Sequence, residues 1–339
     1  MPPHYLPWWS QILLLVWVGT AHAGGALFDS DEVLEVSLQG PLEETIEDQD
    51  ERKERLFKLV LDGQELPVSV RVRGNSRARV CQFPPLRLKF GAEVVAGSVF
   101  EGRDKLKLVT HCKASDKYEQ NVLAEYAAYR IFAMLSDTAY RTRLLRISYT
   151  DTAKMETEPL IRYGFLLESD TELAKRTQAE VVAAPHVVKS LMQPDQAALV
   201  FVFHYLIANT DWSLVTADGE EDCCHNGTLL AKDGVHYLVP YDFDLAGLVN
   251  ARYARPDPSV GINNVRVRRY RGYCIPDLQI AAAVQAILDR EVEITALVRD
   301  LPDTSSKETK RRLEFLARFF KAARDDEKFV AKLERKCIG

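Results

Sequence analysis

The sequence predicts an α+β protein in two parts: an antiparallel sheet with one helix, followed by a mainly helical part that carries a β-hairpin. In the first part, short runs alternate apolar and polar residues, which is typical of half-buried strands. In the second part, apolar residues recur at helical spacing over longer segments. The chain has 339 residues, 47% of them hydrophobic, which is enough to bury one large core or two smaller ones.

The N-terminus has the pattern of an export signal. An apolar run from Ile12 to Val18 precedes Ala21-His22-Ala23, a small-x-small site that a signal peptidase could cut. The run is too short to cross a bilayer as a helix, and no other apolar stretch approaches membrane length. We therefore expect a signal peptide at residues 1–23, cleavage near Ala23, and an exported mature chain, periplasmic or extracellular, without a transmembrane segment.

Charge and cysteine content narrow the class of protein further. The formal net charge is -5, whereas dedicated nucleic-acid binders carry an excess of basic residues, so we expect no nucleic-acid partner. An even number of cysteines in an exported chain favours disulfide bonds, whose pairing the sequence leaves open. The neighbours Cys223 and Cys224 are expected to pair with different partners. Structural zinc is disfavoured, because only Cys224-His225 comes near a zinc-ligand spacing. The six cysteines are Cys81, Cys112, Cys223, Cys224, Cys274 and Cys337.

The first part contains seven strand patterns and one strong helix. Asp62-Gly63 separates the second and third patterns and is a dipeptide preferred in tight hairpin turns. The helix is expected over Tyr118–Leu135, where apolar residues recur at helical spacing. The charged run at 43–56 is expected to be a solvated loop or a short helix. The strands are expected at 33–40, 57–61, 68–73, 86–90, 106–112, 143–149 and 162–168.

A basic turn follows the third strand. Gly74-Asn75 tolerates positive φ and exposes backbone amides, among arginines at positions 71, 73, 77 and 79. A phosphate could lie there, although an ordinary hairpin with basic surface residues explains the segment equally well. Lys89, on the next strand, could act as a point charge on a phosphate. Either Glu119 or Glu125 of the helix could pair with Lys89.

The second part begins after the polar Ser169-Asp170-Thr171, which suggests boundaries at 24–168 and 169–339. Helices are expected at 172–182, 195–208, 278–289, 292–301, 307–321 and 326–336. The helix at 195–208 is apolar on nearly every side and should be buried. His204 within it is expected to be a packed core histidine rather than a metal ligand.

Three aspartates and an asparagine that could form a functional site follow this buried helix. Asp211 comes directly after it, where a carboxylate can face a cleft and accept a hydroxyl proton. Asn226 opens a hairpin, with strands at 227–231 and 235–239, that returns to Asp242 and Asp244. Residues two apart in an extended segment point to one side, so both carboxylates could face one metal ion. A phosphoryl-transfer site needs carboxylates and an amide to hold the metal ion and the nucleophile. The segment is therefore a candidate nucleotide site.

The segment 251–274 carries turn residues first and a basic, strand-like run after them. It is either a solvated loop with an edge strand or a lip that receives an acidic or phosphorylated partner.

In this order, the motifs resemble the spore-coat protein H (CotH)-like family of exported atypical protein kinases. The segment Asn209-Thr210-Asp211 is also similar to the catalytic segment of HipA-type kinases. The residues that carry the resemblance are Val70–Ser76, Leu86–Phe90, Asn121, Glu125, Ile207–Trp212, Asn226 and Val239–Asp244. The resemblance implies a bilobal protein-kinase-like fold, with an N-lobe at 24–168 and a C-lobe at 169–339. It also implies ATP and Mg²⁺ or Mn²⁺ as cofactors and a protein or other hydroxyl-bearing acceptor.

The resemblance also implies roles for individual residues. Asp211 would orient the acceptor hydroxyl, while Asn226 and Asp242 would hold the metal ion, with Asp244 as the alternative principal ligand. Lys89 would bind the nucleotide phosphates, with Glu125 as its helix partner. The turn that would cover the phosphates consists of Gly74, Asn75 and Ser76, with Arg73 assisting.

One departure from the kinase pattern leaves two functions open. The pattern places the asparagine five residues after the aspartate, whereas Asn226 follows Asp211 by fifteen, with TADGEEDCC between them. The inserted acidic residues at 220–222 could take a metal or form a solvated loop. The chain is therefore either an active kinase or a catalytically weak, nucleotide-binding or structural pseudokinase. A metal-dependent hydrolase ranks below both, because no His cluster is present.

Overall fold

The computed structural model describes residues 27–154, 157–214 and 223–339, and over these ranges it contains ten strands and nine α-helices. The strands are β1 (Leu34–Gly40), β2 (Arg55–Leu61), β3 (Gln64–Val72), β4 (Leu86–Phe90), β5 (Lys105–Val109), β6 (Thr142–Asp151), β7 (Leu160–Leu167), β8 (Glu180–Val182), β9 (Gly227–Lys232) and β10 (Val235–Pro240). The helices are α1 (Leu42–Glu47), α2 (Ser76–Val80), α3 (Asp116–Leu135), α4 (Asp170–Thr177), α5 (Pro194–Ile207), α6 (Asp277–Asp289), α7 (Glu291–Arg299), α8 (Ser306–Ala323) and α9 (Asp326–Glu334). The expected signal peptide lies outside the described residues.

The first seven strands close into a barrel in the order β1-β2-β3-β4-β5-β7-β6. Neighbouring strands are antiparallel, except that β1 and β6 run parallel, with Leu34 opposite Leu145. Alternate residues of each strand point into the barrel, where they form a closed apolar core. On β4 these inward residues are Leu86, Leu88 and Phe90, all buried.

The expected α+β, bilobal protein-kinase-like fold, with an N-lobe antiparallel sheet plus one helix, is wrong. The seven strands form a closed, mixed sheet, and within the described residues α1, α2 and α3 all accompany it. The seven strand patterns were located correctly, because alternation is a local signal. Alternation does not show whether the first and sixth strands meet, and that parallel contact is what closes the barrel.

A second apolar core lies between α3, α5, the hairpin β9-β10 and helices α6 to α9. Helix α5 is buried along almost its whole length, as predicted. His204 is 2% exposed and stacks on Trp212 at a centroid distance of 4.6 Å, which confirms it as a core histidine. The helix expected at 172–182 ends earlier, at Thr177 of α4, and its last residues form β8 beside β9.

Disulfide bonds join Cys81 to Cys112, Cys223 to Cys224 and Cys274 to Cys337. The expectation that Cys223 and Cys224 pair with different partners is therefore wrong. The bond between Cys81 and Cys112 fastens the end of α2 to the segment that follows β5. Restricting a loop of this length in the unfolded chain stabilises the fold by about 3 to 4 kcal/mol in the chain-entropy account.

Over the described ranges, no helix combines the length and the apolar character that crossing a membrane requires.

The buried His204 should make the protein sensitive to acid. Burial, reinforced by Arg271, lowers the pKa of His204 from 6.5 to about 3. The unfolded chain therefore binds a proton that the folded chain does not, and stability falls as the pH drops from about 6.5 toward 3. Between pH 7 and pH 5, the unfolding free energy of the wild type should fall by about 2 kcal/mol more than that of a His204→Phe variant. Urea denaturation at the two pH values measures both changes.

The matched control is His186→Gln, at an exposed position. It should keep the pH dependence of the wild type. If the His204→Phe variant kept that dependence as well, the buried neutral histidine would not be its source.

Candidate functional site

The centre of the candidate site is a buried ion pair between Arg77 of α2 and Glu125 of α3. The Arg77 Nη1 atom donates to Glu125 Oε2 at 2.9 Å, and Nη2 donates to Oε1 at 3.1 Å. Arg77 is 9% exposed and Glu125 is 2% exposed. This paired, bidentate geometry satisfies a charge that would be costly to bury alone.

Arg77 also reaches the acidic segment that follows β10. Its Nη2 atom donates to Asp242 Oδ1 at 2.5 Å, and its Nε atom lies 3.5 Å from Asp244 Oδ2. The two aspartates thus face one guanidinium. One arginine therefore connects α2, α3 and the segment after β10.

Local backbone structure sets the position of Arg77. Gly74 has a φ of +90°, a conformation that favours glycine, and it turns the chain from β3 into α2. The Cys81 amide then donates to the Arg77 carbonyl at 3.0 Å, and the Cys81–Cys112 disulfide anchors the end of α2. Asn75 and Ser76 lie exposed on the turn.

Tyrosine side chains hold the two aspartates. The Asp242 amide, at a φ of +58°, donates to the Tyr129 hydroxyl at 2.8 Å. The Tyr253 hydroxyl donates to Asp244 Oδ2 at 2.9 Å. Phe243, between the aspartates, is buried against Tyr129 with a centroid distance of 4.6 Å. The aspartates are therefore fixed on either side of a buried aromatic anchor.

The carboxylates outnumber the cations at this centre, and the pKa values reflect it. Burial, together with the nearby carboxylates of Asp242 and Asp211, raises the pKa of Asp244 to about 6, against the opposing effect of Arg77. Burial also raises the pKa of Glu125, an effect that Arg77 again opposes. The site therefore favours a further positive charge.

Asp211 and Asn226 are in direct contact despite the fifteen residues between them. The Asn226 amide nitrogen donates to Asp211 Oδ2 at 2.9 Å and to the Asp211 carbonyl at 2.8 Å. The other Asp211 oxygen, Oδ1, lies 3.1 Å from His225 Nε2. The Asp211 side chain remains 32% exposed, so it can still meet a ligand.

The turn that carries Asn226 begins at the Cys223–Cys224 disulfide. Cys224 and Gly227 exchange two backbone hydrogen bonds of 3.3 Å, which close the turn around His225 and Asn226. Asn226 itself has a φ of +54°. The acidic residues Glu220, Glu221 and Asp222 of the insert lie outside the described residues.

Lys89 does not pair with Glu125, so that expectation needs correction. The Lys89 Nζ atom donates to Glu54 Oε2 at 3.2 Å, and its side chain is 47% exposed. The reason is the alternation of β4, which places the apolar residues inside the barrel and Lys89 outside. The other candidate partner, Glu119, accepts instead from the Tyr163 amide at 2.6 Å.

Sequence reasoning missed four residues that the structure places at the site. Arg77 was visible only as one of four arginines in the basic turn. Tyr129 and Tyr253 gave no signal, because hydroxyl partners of the aspartates cannot be recognised from spacing. Arg271 supports the segment around Asp211 by donating to the carbonyls of Thr210 and Trp212.

Arg73 lies beside this centre with an available charge. Its side chain is half-buried, and within the described residues its guanidinium makes no hydrogen bond or ion pair. Burial and the neighbouring Arg77 lower the pKa of Arg73.

The side chains at this centre can be compared with the ligands that a metal ion needs. Within the described residues, no group of three or more His, Cys, Asp or Glu side chains is placed to hold a metal ion. Mg²⁺ at nucleotide sites needs only one or two carboxylates, because phosphate oxygens and waters complete its shell. Asp242, Asp244 and Asn226 offer suitable hard oxygen donors, and Arg77 occupies one Asp242 oxygen.

No protein-family model and no curated protein matches the chain. Among solved structures, the chain is similar to the crystal structure of a Helicobacter pylori proinflammatory kinase, CtkA. The match has 12% sequence identity and a TM-score of 0.39, and it covers 74% of this chain and 93% of that chain. Similarity at this level does not assign the chain to a family.

Removal of Arg77 should strongly destabilise the protein. An Arg77→Ala variant leaves Glu125, Asp242 and Asp244 without their shared cation, and breaking a buried pair costs about 3 to 5 kcal/mol. Urea denaturation at neutral pH should show this loss of unfolding free energy. Arg79→Ala, an exposed position on the same helix, should change stability by less than about 0.5 kcal/mol. Equal effects of the two substitutions would contradict a central role for Arg77.

Proposed function

We propose that this protein is an exported, ATP-dependent kinase that transfers the γ-phosphoryl group to a hydroxyl on a protein acceptor, with Mg²⁺ or Mn²⁺. The observation that carries the proposal is the placement of Arg77, which binds both Glu125 and Asp242. Arg77 is a cation that could bind phosphates, and Glu125 is the carboxylate that orients it. Asp242, a carboxylate suited to a metal ion, lies at the same centre. The proposal rests on this site and on no similarity of fold.

In this proposal, Asp211 receives the proton of the acceptor hydroxyl. Its carboxylate is partly exposed and is oriented by Asn226 and His225. As the acceptor oxygen bonds to the γ-phosphorus, the bond from phosphorus to the ADP oxygen breaks, and the hydroxyl proton passes to Asp211. Positioning of this kind provides most of the rate enhancement in phosphoryl transfer.

The phosphates would be held by basic side chains and by the turn before α2. Arg77 takes the role that the sequence suggested for Lys89, because Arg77 is the cation that binds Glu125. Arg73, half-buried and without a described partner, supplies a second charge. The exposed turn of Gly74, Asn75 and Ser76 can cover the phosphates with its backbone amides.

Asp242, with Asn226 and Asp244, would hold the metal ion. When bound, the metal neutralises phosphate charge and stabilises the charge that develops on the leaving oxygen. The 35% exposure of the Asp242 side chain leaves its second oxygen accessible to such an ion.

A pseudokinase is the second candidate, and one observation favours it. Arg77 already occupies an oxygen of Asp242, and in the described part of the chain no three-ligand metal cluster is formed. A site of this kind would bind nucleotide without transferring phosphate, or serve as a structural ion-pair cluster.

Two conservative substitutions separate these candidates. Asp211→Asn should lower phosphoryl transfer by about 10²- to 10⁴-fold, because it removes the proton acceptor, while the thermal shift produced by ATP with Mn²⁺ persists. Asp242→Asn should abolish both transfer and the Mn²⁺-dependent shift. Transfer is measured with radiolabelled ATP and a mixture of casein and the protein itself as acceptors. Asp233→Asn, at the exposed tip of the hairpin, is the control for both assays.

The outcomes distinguish three cases. Transfer at the wild-type rate in the Asp211→Asn variant overturns the assigned role of Asp211. A nucleotide-induced shift without transfer in the wild type supports the pseudokinase. A wild type that no nucleotide stabilises overturns both the kinase and a nucleotide-binding pseudokinase, and it supports the structural ion-pair cluster.

A further inference from the structure

A cavity of about 900 Å³ lies beside the candidate site. Its walls are the first turn of α3, the segment 250–265 and the first turn of α8. This volume is at the upper end of the range of small-molecule sites and can take several residues of an extended peptide. Nothing proposed for the nucleotide uses this cavity.

Two elements connect the cavity to the candidate site. On α3, Asn121 lines the cavity and Glu125 holds Arg77 one helical turn further on, about 6 Å along the axis. In the segment after β10, Arg252 and Ala254 line the cavity, and Tyr253 between them donates to Asp244. A ligand in the cavity would therefore lie next to the groups proposed for phosphoryl transfer.

The wall of the cavity carries an excess of positive charge. Five basic and three acidic residues line it. Two of the acidic residues already have a partner: Asp116 lies 3.2 Å from Arg162, and Glu308 pairs with Arg311. The basic residues are Lys117, Arg252, Arg255, Lys307 and Arg311.

Most of the basic side chains remain available. Within the described ranges, Lys117, Arg252 and Lys307 make no ion pair, and Arg255 donates only to the carbonyls of Arg252 and Ala254. The first turns of α3 and α8 both line the cavity, and helix N-termini add to the attraction for anions. The surface is thus suited to an anionic ligand.

The other lining groups identify the kind of anion. No aromatic ring of the described residues lines the cavity, so a nucleobase would find no stacking surface there. Side-chain amides do line it, and they can donate to and accept from a peptide backbone. These are Asn121, Asn250, Asn263 and Asn264, whereas the fifth lining amide, Gln120, is already bonded to the Asp303 carbonyl and the Ser305 amide.

We propose that this cavity binds the acceptor polypeptide through carboxylate or phosphate groups that neighbour the hydroxyl to be phosphorylated. This inference rests on the proposed kinase function. Lys117, Arg252 and Lys307 neutralise the acidic side chains, and the amides hold the peptide backbone. The substrate class is therefore an acidic or already phosphorylated segment of a protein.

Fluorescence anisotropy tests the inference directly. The probes are a short labelled peptide with a central serine flanked by glutamates, the same peptide with glutamines, and one with a neighbouring phosphoserine. The acidic and phosphorylated peptides should bind at least about tenfold more tightly than the glutamine peptide, with an affinity that falls as salt rises. An Arg252→Ala/Lys307→Ala variant should weaken binding of the acidic peptide by about tenfold or more.

The control variant is Lys321→Ala, at an exposed position of α8 away from the cavity, and it should bind as the wild type does. Circular dichroism melting of the double variant checks that it is folded. Equal binding of the acidic and glutamine peptides overturns the inference, as does wild-type affinity in the folded double variant. Displacement of the peptide by equimolar inorganic phosphate also overturns it, because the cavity would then recognise a free anion.

The two proposals can fail separately. The thermal shift of the wild type with ATP and Mn²⁺, measured without peptide, tests the nucleotide site alone. A normal shift with no selective peptide binding rejects the acceptor cavity and leaves the kinase proposal standing. Selective peptide binding without any nucleotide shift rejects the kinase and, with it, the acceptor role of the cavity.

Discussion

The buried charge of Arg77 is the constraint on which the rest of the site depends. A guanidinium at 9% exposure is tolerated only when its donors are paired, and Glu125, Asp242 and Asp244 supply the pairing. These partners come from α3 and from the segment after β10, which pack against different parts of the core. The site is therefore assembled only when the barrel, α3 and the hairpin are all in place.

The sequence located most elements because strand and helix periodicity are local signals. It could not show that β1 meets β6, since that pairing joins segments more than a hundred residues apart. For Lys89, the alternation placed the residue on the correct strand and opposite the apolar face. The alternation does not show which strands carry α3, and α3 packs on β6 and β7, so Lys89 on β4 meets Glu54 instead of Glu125.

Spacing along the chain was a poor guide to the contact between Asp211 and Asn226. The kinase-like spacing of five residues is one way to bring an aspartate and an asparagine together. Here the hairpin returns Asn226 to Asp211 after fifteen residues, and the Cys223–Cys224 disulfide stands at the start of the returning turn. The insertion therefore does not separate the two side chains, which a linear pattern cannot reveal.

The charge balance of the site favours a ligand-binding role over a purely structural one. Arg77 and the neighbouring Arg73 contribute two positive charges against the carboxylates of Glu125, Asp242 and Asp244, with Asp211 close enough to raise the pKa of Asp244. The raised pKa values of Glu125 and Asp244 mean that burial disfavours their ionised forms, a cost that a bound cation would reduce. ATP without metal would add to that charge and be repelled, whereas a divalent cation neutralises the carboxylates and the phosphates together. Nucleotide and metal are therefore expected to bind as a pair, with Asp242 exchanging part of its bond to Arg77 for the cation.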